Sequence, residues 1–298
     1  MQTSSAAVVQ LFAVEPVGPR PLPVPAGAAT FHDVLDGLPL GVYSALRTFH
    51  HERFLWLDAH LDRTDRSMEL LGWSFRLDRP VLRRALHAAV GAYPLADSRV
   101  RFDVLADSAN RPSKPGARRL DTSSRVVIIL SPYKPVPEAF LREGVRVEIA
   151  PGLHRDHPLI KTADFVVRRR PYPLERQDSY EHLLVDAEGG ILECSSANFH
   201  AVRDGALWTG GGGALEGITE KVLLRVTADL GVPIRRERVL LADVARLDEA
   251  FLTSSTRGLV PIVDVAGTRI GNGAPGALWK KLAEAYQRFA EREAVPAV

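Results

Sequence analysis

The stretch Glu181-His-Leu-Leu-Val-Asp186-Ala-Glu-Gly-Gly-Ile191-Leu-Glu193-Cys-Ser-Ser-Ala-Asn198-Phe-His-Ala-Val202-Arg-Asp-Gly-Ala206-Leu-Trp-Thr209 decides the fold class of the second half of the chain. Short apolar-rich runs alternate with turn signals: Glu181 to Asp186, a Glu-Gly-Gly turn, Ile191 to Glu193, Asn198 to Val202, an Asp-Gly turn, and Ala206 to Thr209. So many short strands on tight turns predict a strongly curved β-sheet. Upstream, Val145 to Ala150 adds a strand. Downstream, the glycine run Gly210 to Gly213 precedes a helix from Ile218 to about Leu230, closed by Gly231. Strands at Glu249 to Thr253 and Leu259 to Val265 lead to a last helix, Pro275 to Arg292.

The first half has a different pattern. Five prolines in the first 25 residues predict a short strand, Val8 to Val14, and then an extended arm. Strands Gly41 to Phe49 and Arg53 to Leu57 flank a hairpin turn at His50, His51 and Glu52. Leu61, Met68 and Leu71 stand at helical spacing within Ala59 to Leu71, and Pro80 opens a second helix that reaches Tyr93. Strands Arg99 to Leu105 and Arg125 to Leu130 flank a Ser/Pro/Gly/Arg-rich loop, Asp107 to Arg119. The proline-bearing stretch Tyr133 to Arg142 reads as a linker. The expected architecture is a two-domain α+β protein: a small domain over residues 1–132, a linker over 133–142, and a larger β-barrel-like domain over 143–298.

Composition narrows the function classes. A formal charge of +2 leaves no basic footprint for nucleic acid, and 46% hydrophobic residues match ordinary globular composition. Cys194 is the sole cysteine, so neither an internal disulfide nor a cysteine metal site can form. His50-His51 and His154-x-x-His157 have no third ligand at a recognisable interval, so no metal is expected. No signal-peptide pattern and no long apolar run occurs, which predicts a soluble, unprocessed, cytoplasmic protein without membrane contact.

Two hydroxyl-bearing segments suggest chemistry. Gly212-Gly-Ala-Leu-Glu-Gly217-Ile218-Thr219 has the glycine spacing of a nucleotide-triphosphate loop but carries Ile218 where that motif needs lysine. What remains is a helix N-terminus with backbone N–H groups and a threonine hydroxyl, suited to a single phosphate, or simply a glycine-rich helix cap. Thr253-Ser254-Ser255-Thr256 ends a predicted strand, and serves either an anion or ordinary turn chemistry.

In order along the chain, His60-Leu-Asp-Arg63, Ile160-Lys161, Ile191-Leu-Glu193-Cys-Ser-Ser-Ala-Asn198-Phe, Leu215-Glu-Gly217-Ile218-Thr219 and Phe251-Leu-Thr-Ser-Ser255-Thr256 resemble the class IV aminotransferases, from about Gly41 to Gly273. That family includes branched-chain and D-amino acid aminotransferases, (R)-amine transaminases and 4-amino-4-deoxychorismate lyases. The resemblance implies fold type IV, a homodimer, and pyridoxal 5′-phosphate held as a Schiff base on Lys161. Lys161 would also shuttle the substrate proton. Glu193 would accept a hydrogen bond from the pyridine nitrogen and keep the ring cationic. Arg63, the Ile218 and Thr219 N–H groups, the Thr219 hydroxyl, Ser255 and Thr256 would hold the phosphate, and Leu215 would pack on the ring. Tyr43 and Arg101 would bind substrate.

The chain departs from that pattern at Ser44, where an acidic residue is common. It departs again after the lysine, where Lys161-Thr-Ala-Asp164-Phe165-Val-Val-Arg168-Arg-Arg170 lacks an Asn-containing segment. The implied reaction exchanges an amino group between a small amino acid or amine and a 2-oxo acid. The alternatives are elimination of pyruvate, as in the lyases, and a catalytically silent cofactor-binding homologue. Cys194 reads as a packing residue, and Arg168 to Arg170 as a solvated run.

Overall fold

Alternating apolar runs pair across tight turns in the computed structural model, which describes residues 9–28, 31–35, 41–106 and 120–298. The predicted loop over 107–119 and the predicted strand residue Val8 lie outside them. The chain divides into two compact units, one of Met1–Lys134, Ile160–Asp164 and Glu293–Val298, the other of Pro135–Leu159 and Phe165–Arg292. The short segments 160–164 and 293–298 thus group with the first unit, and the second begins at Pro135.

The first unit contains β1 (Gln10–Glu15), β2 (Gly18–Leu22), α1 (Phe31–Leu35), β3 (Val42–Phe49), β4 (Arg53–Leu55), α2 (Leu57–Leu70), α3 (Arg79–Gly91), β5 (Ser98–Val104) and β6 (Val126–Pro132). Its antiparallel sheet runs in the order β4-β3-β5-β6-β1-β2. The segment expected to be an arm after Val14 is instead the edge strand β2. Pro19 and Pro21 sit there because an edge strand tolerates residues that cannot donate to the ladder. His50 (φ 49°) and His51 (φ 73°) take the left-handed conformation that turns β3 into β4. The Asp78 carboxylate accepts the Val81 N–H at 3.0 Å and caps α3, with Pro80 in its first turn. Leu57, Leu61, Met68, Leu82, Leu86 and Val90 of these helices pack on Val42, Leu46, Val100, Phe102 and Val104. Each such buried aliphatic side chain contributes roughly 1.5–3 kcal/mol.

The second unit contains α4 (Glu138–Glu143), β7 (Val145–Ile149), α5 (Ala163–Arg168), β8 (Ser179–Val185), β9 (Ile191–Cys194), β10 (Asn198–Arg203), β11 (Ala206–Thr209), α6 (Ile218–Asp229), β12 (Ile234–Arg235), β13 (Glu249–Ser254), β14 (Gly258–Val265), β15 (Thr268–Arg269) and α7 (Ala277–Glu293). α4 falls inside the stretch read as a linker, with Pro137 at its N-cap. The sheet order is β12-β11-β10-β13-β14-β7-β8-β9, with β15 on β14. β14, β7 and β8 run parallel and the remaining path neighbours are antiparallel, except for the parallel pair β11 and β12. β9 ends this path, yet the Cys194 N–H donates to the Ala197 carbonyl at 2.8 Å and turns the chain directly into β10, third from the opposite end. That closure curls the sheet into an incomplete barrel. Val147, Leu183, Ile191, Cys194, Phe199, Leu252 and Ile262 fill it. A last strand, β16 (Ala294–Pro296), pairs with β4 on the edge of the first sheet.

Candidate active site

Lys161 is carried by backbone geometry. In the first unit, the Tyr43 N–H donates to the Lys161 carbonyl at 3.1 Å, the Ala163 N–H donates to the Gly41 carbonyl at 2.8 Å, and Val42 and Thr162 form a β-bridge. Residues 161–163 are thereby laced to the start of β3. The Lys161 ammonium lies 4.9 Å from the centre of the Tyr43 ring. Gly41 permits the close approach of Val104 at the end of β5, since a Cβ there would lie 1.9 Å from the Val104 carbonyl oxygen. Gly41→Ala is expected to cost about 1–3 kcal/mol of stability, and to lower the melting temperature by a few degrees in a thermal scan. An unchanged melting temperature would show that the strand end can shift freely.

Arg63 lies on the buried face of α2. Its Nη2 donates to Ser44 Oγ at 2.9 Å, which leaves that hydroxyl's own proton for His60 Nδ1, also at 2.9 Å. Ser67 links the pair to the lysine, because its hydroxyl donates to the Arg63 carbonyl at 2.8 Å and accepts the Lys161 N–H at 3.4 Å. Burial, followed by the Arg63 and Lys161 charges, holds the His60 imidazole well below its usual value. His60 is therefore a neutral spacer beside two cations. Arg101 and Asp103 of β5 form a buried bidentate pair, with Nε to Oδ2 at 2.7 Å and Nη2 to Oδ1 at 2.6 Å. The Arg101 guanidinium carbon stands 3.7 Å from the Tyr43 ring centre. Tyr43, Arg101 and Lys161 are thus brought together, with Arg63 joined to them through Ser67.

In the second unit, Glu193 projects from β9 and its carboxylate accepts the Arg155 Nε–H at 2.6 Å, both side chains being buried. Arg155 also lies 3.9 Å from the Phe165 ring centre. The helix α6 begins at Ile218 with Gly217 as N-cap. A Cβ on Gly217 would lie 2.0 Å from Asn198 Oδ1, and the Asn198 amide donates to the Leu215 carbonyl at 2.6 Å. Asn198 therefore clamps the turn that delivers Leu215, Ile218 and Thr219. The Thr219 hydroxyl donates to Ser255 Oγ at 3.3 Å, which joins the two hydroxyl segments in space, with Thr256 next in the same turn. Two hydroxyls at the positive end of a helix, beside N–H groups that helix geometry leaves without intrahelical acceptors, make an anion cradle.

A further network was not found by sequence reasoning. Arg257 donates to Glu181 Oε2 at 3.1 Å, to the Ser196 carbonyl at 3.1 Å and to Ser254 Oγ at 3.0 Å. The Ser195 and Ser196 hydroxyls donate to the same Glu181 carboxylate. Burial alone would raise that carboxyl, but the Arg257 charge and the two serines hold it below its ordinary value. The network braces the turn after Glu193 and the turn carrying Ser255. Its only sequence signal was the adjacency of Arg257 to Thr256 and of the serines to Glu193. Arg168 and Arg169 are engaged rather than merely solvated: Arg168 pairs with Asp156, and Arg169 donates to the Ser195 carbonyl at 2.9 Å. Cys194 is fully buried, and burial pushes its thiol well above the usual range. Among the described residues no group of three or more His, Cys, Asp or Glu side chains is arranged for a metal, and no helix is long and apolar enough to cross a membrane.

The buried histidines set an acid limit. Besides His60, burial pushes His200 of β10, whose Nε2 lies 2.9 Å from Thr253 Oγ1, down to about 3. An unfolded histidine, near 6.5, binds a proton that the folded one refuses, so stability is complete above about pH 6.5 and is lost as pH falls below it. Urea unfolding is expected to weaken by about 1.4 kcal/mol per pH unit for each such histidine below pH 6. His200→Gln should flatten part of that slope, and a profile identical to the parent's would contradict this origin.

Residues 41–265 match the family model described as amino-transferase class IV. The chain is 31% identical over 118 residues to a D-alanine aminotransferase of Listeria monocytogenes, an alignment spanning 39% of each chain. It is 26% identical over 259 residues, 83% of each chain, to a branched-chain-amino-acid aminotransferase of Pseudomonas aeruginosa. In fold it is similar to a T.th. branched-chain amino acid aminotransferase crystallised with pyridoxamine 5′-phosphate, with a TM-score of 0.77 at 19% identity over 97% of this chain and 98% of that one. It is also similar to the branched-chain aminotransferase of Thermoproteus uzoniensis with norvaline, with a TM-score of 0.73 at 21% identity over 97% and 99%.

Proposed function

The chain belongs to the class IV aminotransferases, and from that premise we propose that it binds pyridoxal 5′-phosphate and exchanges an amino group between a small amino acid or amine and a 2-oxo acid. The observation that carries this reading is the lacing of residues 161–163 to β3, which presents the Lys161 amine beside Tyr43.

The cofactor, when bound, would supply an aldehyde that condenses with amines and a cationic ring that draws off the electron pair left at the substrate Cα. This chain's residues do the rest. Lys161 Nζ would be the amine that holds the cofactor, and once freed would take the Cα proton. Glu193, held in place by Arg155 at 2.6 Å, would accept the hydrogen bond of the ring nitrogen. A phosphate would be held by the charge of Arg63, by the Ile218 and Thr219 N–H groups, and by the hydroxyls of Thr219, Ser255 and Thr256, of which Thr219 and Ser255 are hydrogen-bonded to each other. Leu215 would pack on the ring, and Tyr43 and Arg101 would border the substrate. A homodimer working in the cytoplasm is part of the same proposal, and the single cysteine suits a reducing compartment.

The test is chemical. Incubation with excess cofactor, borohydride reduction and peptide mass mapping are expected to leave a pyridoxyl group on Lys161, and the loaded protein is expected to transfer nitrogen from at least one L- or D-amino acid or (R)-amine. A protein that stays colourless and unlabelled would overturn the cofactor assignment. Pyruvate released from aminodeoxychorismate, without nitrogen transfer to any 2-oxo acid, would replace exchange by elimination.

A further inference from the structure

We propose that Asp103 determines which substrates the Lys161 centre accepts: by holding the Arg101 guanidinium in a bidentate pair beside Tyr43, it selects amino donors and 2-oxo acids whose side chains lack a second carboxylate. The inference deepens the transaminase reading and rests on it.

The placement follows from strand register. Tyr43 on β3 stands opposite Asp103 on β5, and Ala45 stands opposite Arg101, so alternation puts all four side chains on one face of the sheet. Ala45 is small, and the guanidinium lies against the neighbouring tyrosine ring, 3.7 Å from its centre. The Lys161 ammonium lies against that same ring at 4.9 Å. The pair is therefore one aromatic side chain removed from the proposed reacting amine.

Both partners are 3% exposed, so water screens their attraction little. A lone guanidinium at this wall would present a planar fork of donors to any incoming carboxylate. Here Nε and Nη2, one complete edge of that fork, already meet both Asp103 oxygens at 2.7 and 2.6 Å. A second substrate carboxylate would meet a guanidinium whose charge Asp103 already balances, and would be repelled by that buried acid. An uncharged side chain meets neither obstacle, and finds the Tyr43 ring and the Ala45 methyl as apolar wall.

The experiment compares isosteric donors on the cofactor-loaded protein. Glutamate and norvaline, each as both enantiomers, are reacted in single turnovers, and binding of glutarate and acetate is measured by calorimetry. The wild type is expected to favour norvaline over glutamate by at least about tenfold, the size of one charge-assisted hydrogen bond. Asp103→Asn should move that ratio about tenfold toward glutamate and tighten glutarate, but not acetate, by a similar factor. A wild type that uses glutamate as well as norvaline overturns the proposal without recourse to any variant. So does a folded Asp103→Asn protein whose ratio and glutarate affinity do not move. Failure of every donor in the panel would instead remove the transaminase reading on which the proposal rests.

Discussion

Lys161→Ala is expected to lower turnover with every amino donor by at least about a thousandfold, because the proposed function makes one side chain both attachment point and proton carrier. Its melting temperature is expected to stay close to that of the parent. The reason is geometric: the contacts that lace this segment to β3 run through the Lys161 carbonyl and N–H and through its neighbours' backbone, all of which alanine keeps. Loss of the ammonium also removes one of the charges that depress His60, so the His60 imidazole should titrate higher. Externally added methylamine should restore part of the rate if a missing amine is the defect. Turnover within tenfold of the parent, or borohydride labelling of a different lysine, would remove Lys161 from its role.

Glu193→Gln is expected to lower kcat by about a hundredfold and also to destabilise the fold, two effects with separate causes. The first arises because glutamine holds a ring nitrogen less strongly in its charged form. The second arises because Arg155, 6% exposed at its side chain and 2.6 Å from Glu193, becomes a buried cation without a counter-charge. Breaking such a pair costs up to about 3–5 kcal/mol, less here because the amide oxygen still accepts one hydrogen bond. Arg155→Met should destabilise from the other side of the pair. The double variant should recover much of the stability in urea unfolding and none of the activity, since partners in contact are coupled rather than additive. Recovery of kcat in the double variant would show that Glu193 acts only as Arg155's partner.

How far the chain could be read in advance divides along a physical line. Strands and helices follow from local signals: the run Ala206 to Thr209 is a strand with those bounds, Ile218 opens α6 behind Gly217, and the Asp204-Gly205 turn joins β10 to β11. Each rests on neighbours within a few positions, where side-chain alternation and turn chemistry act. The ordered blocks around Arg63, Lys161, Glu193, Thr219 and Ser255 pointed to the family through resemblance, and the family model covers residues 41–265. Less local elements escaped. β2 carries prolines that read as an arm until an edge position is known, and β16 is a strand only because β4 offers an open edge.

What the amino-acid sequence determined by itself was the α+β fold class, the curved second sheet and the family. Tertiary structure alone decided their partners: Arg155 for Glu193 across 38 positions, Ser255 for Thr219 across 36, and Arg257 for Glu181 across 76. Even Arg101 and Asp103, two residues apart on β5, form their pair in a setting that only tertiary packing supplies, each 3% exposed and denied to water. Backbone conformation is set mostly within a turn or a strand. The choice of a counter-charge is set by which strands lie side by side, and that is a property of the whole chain.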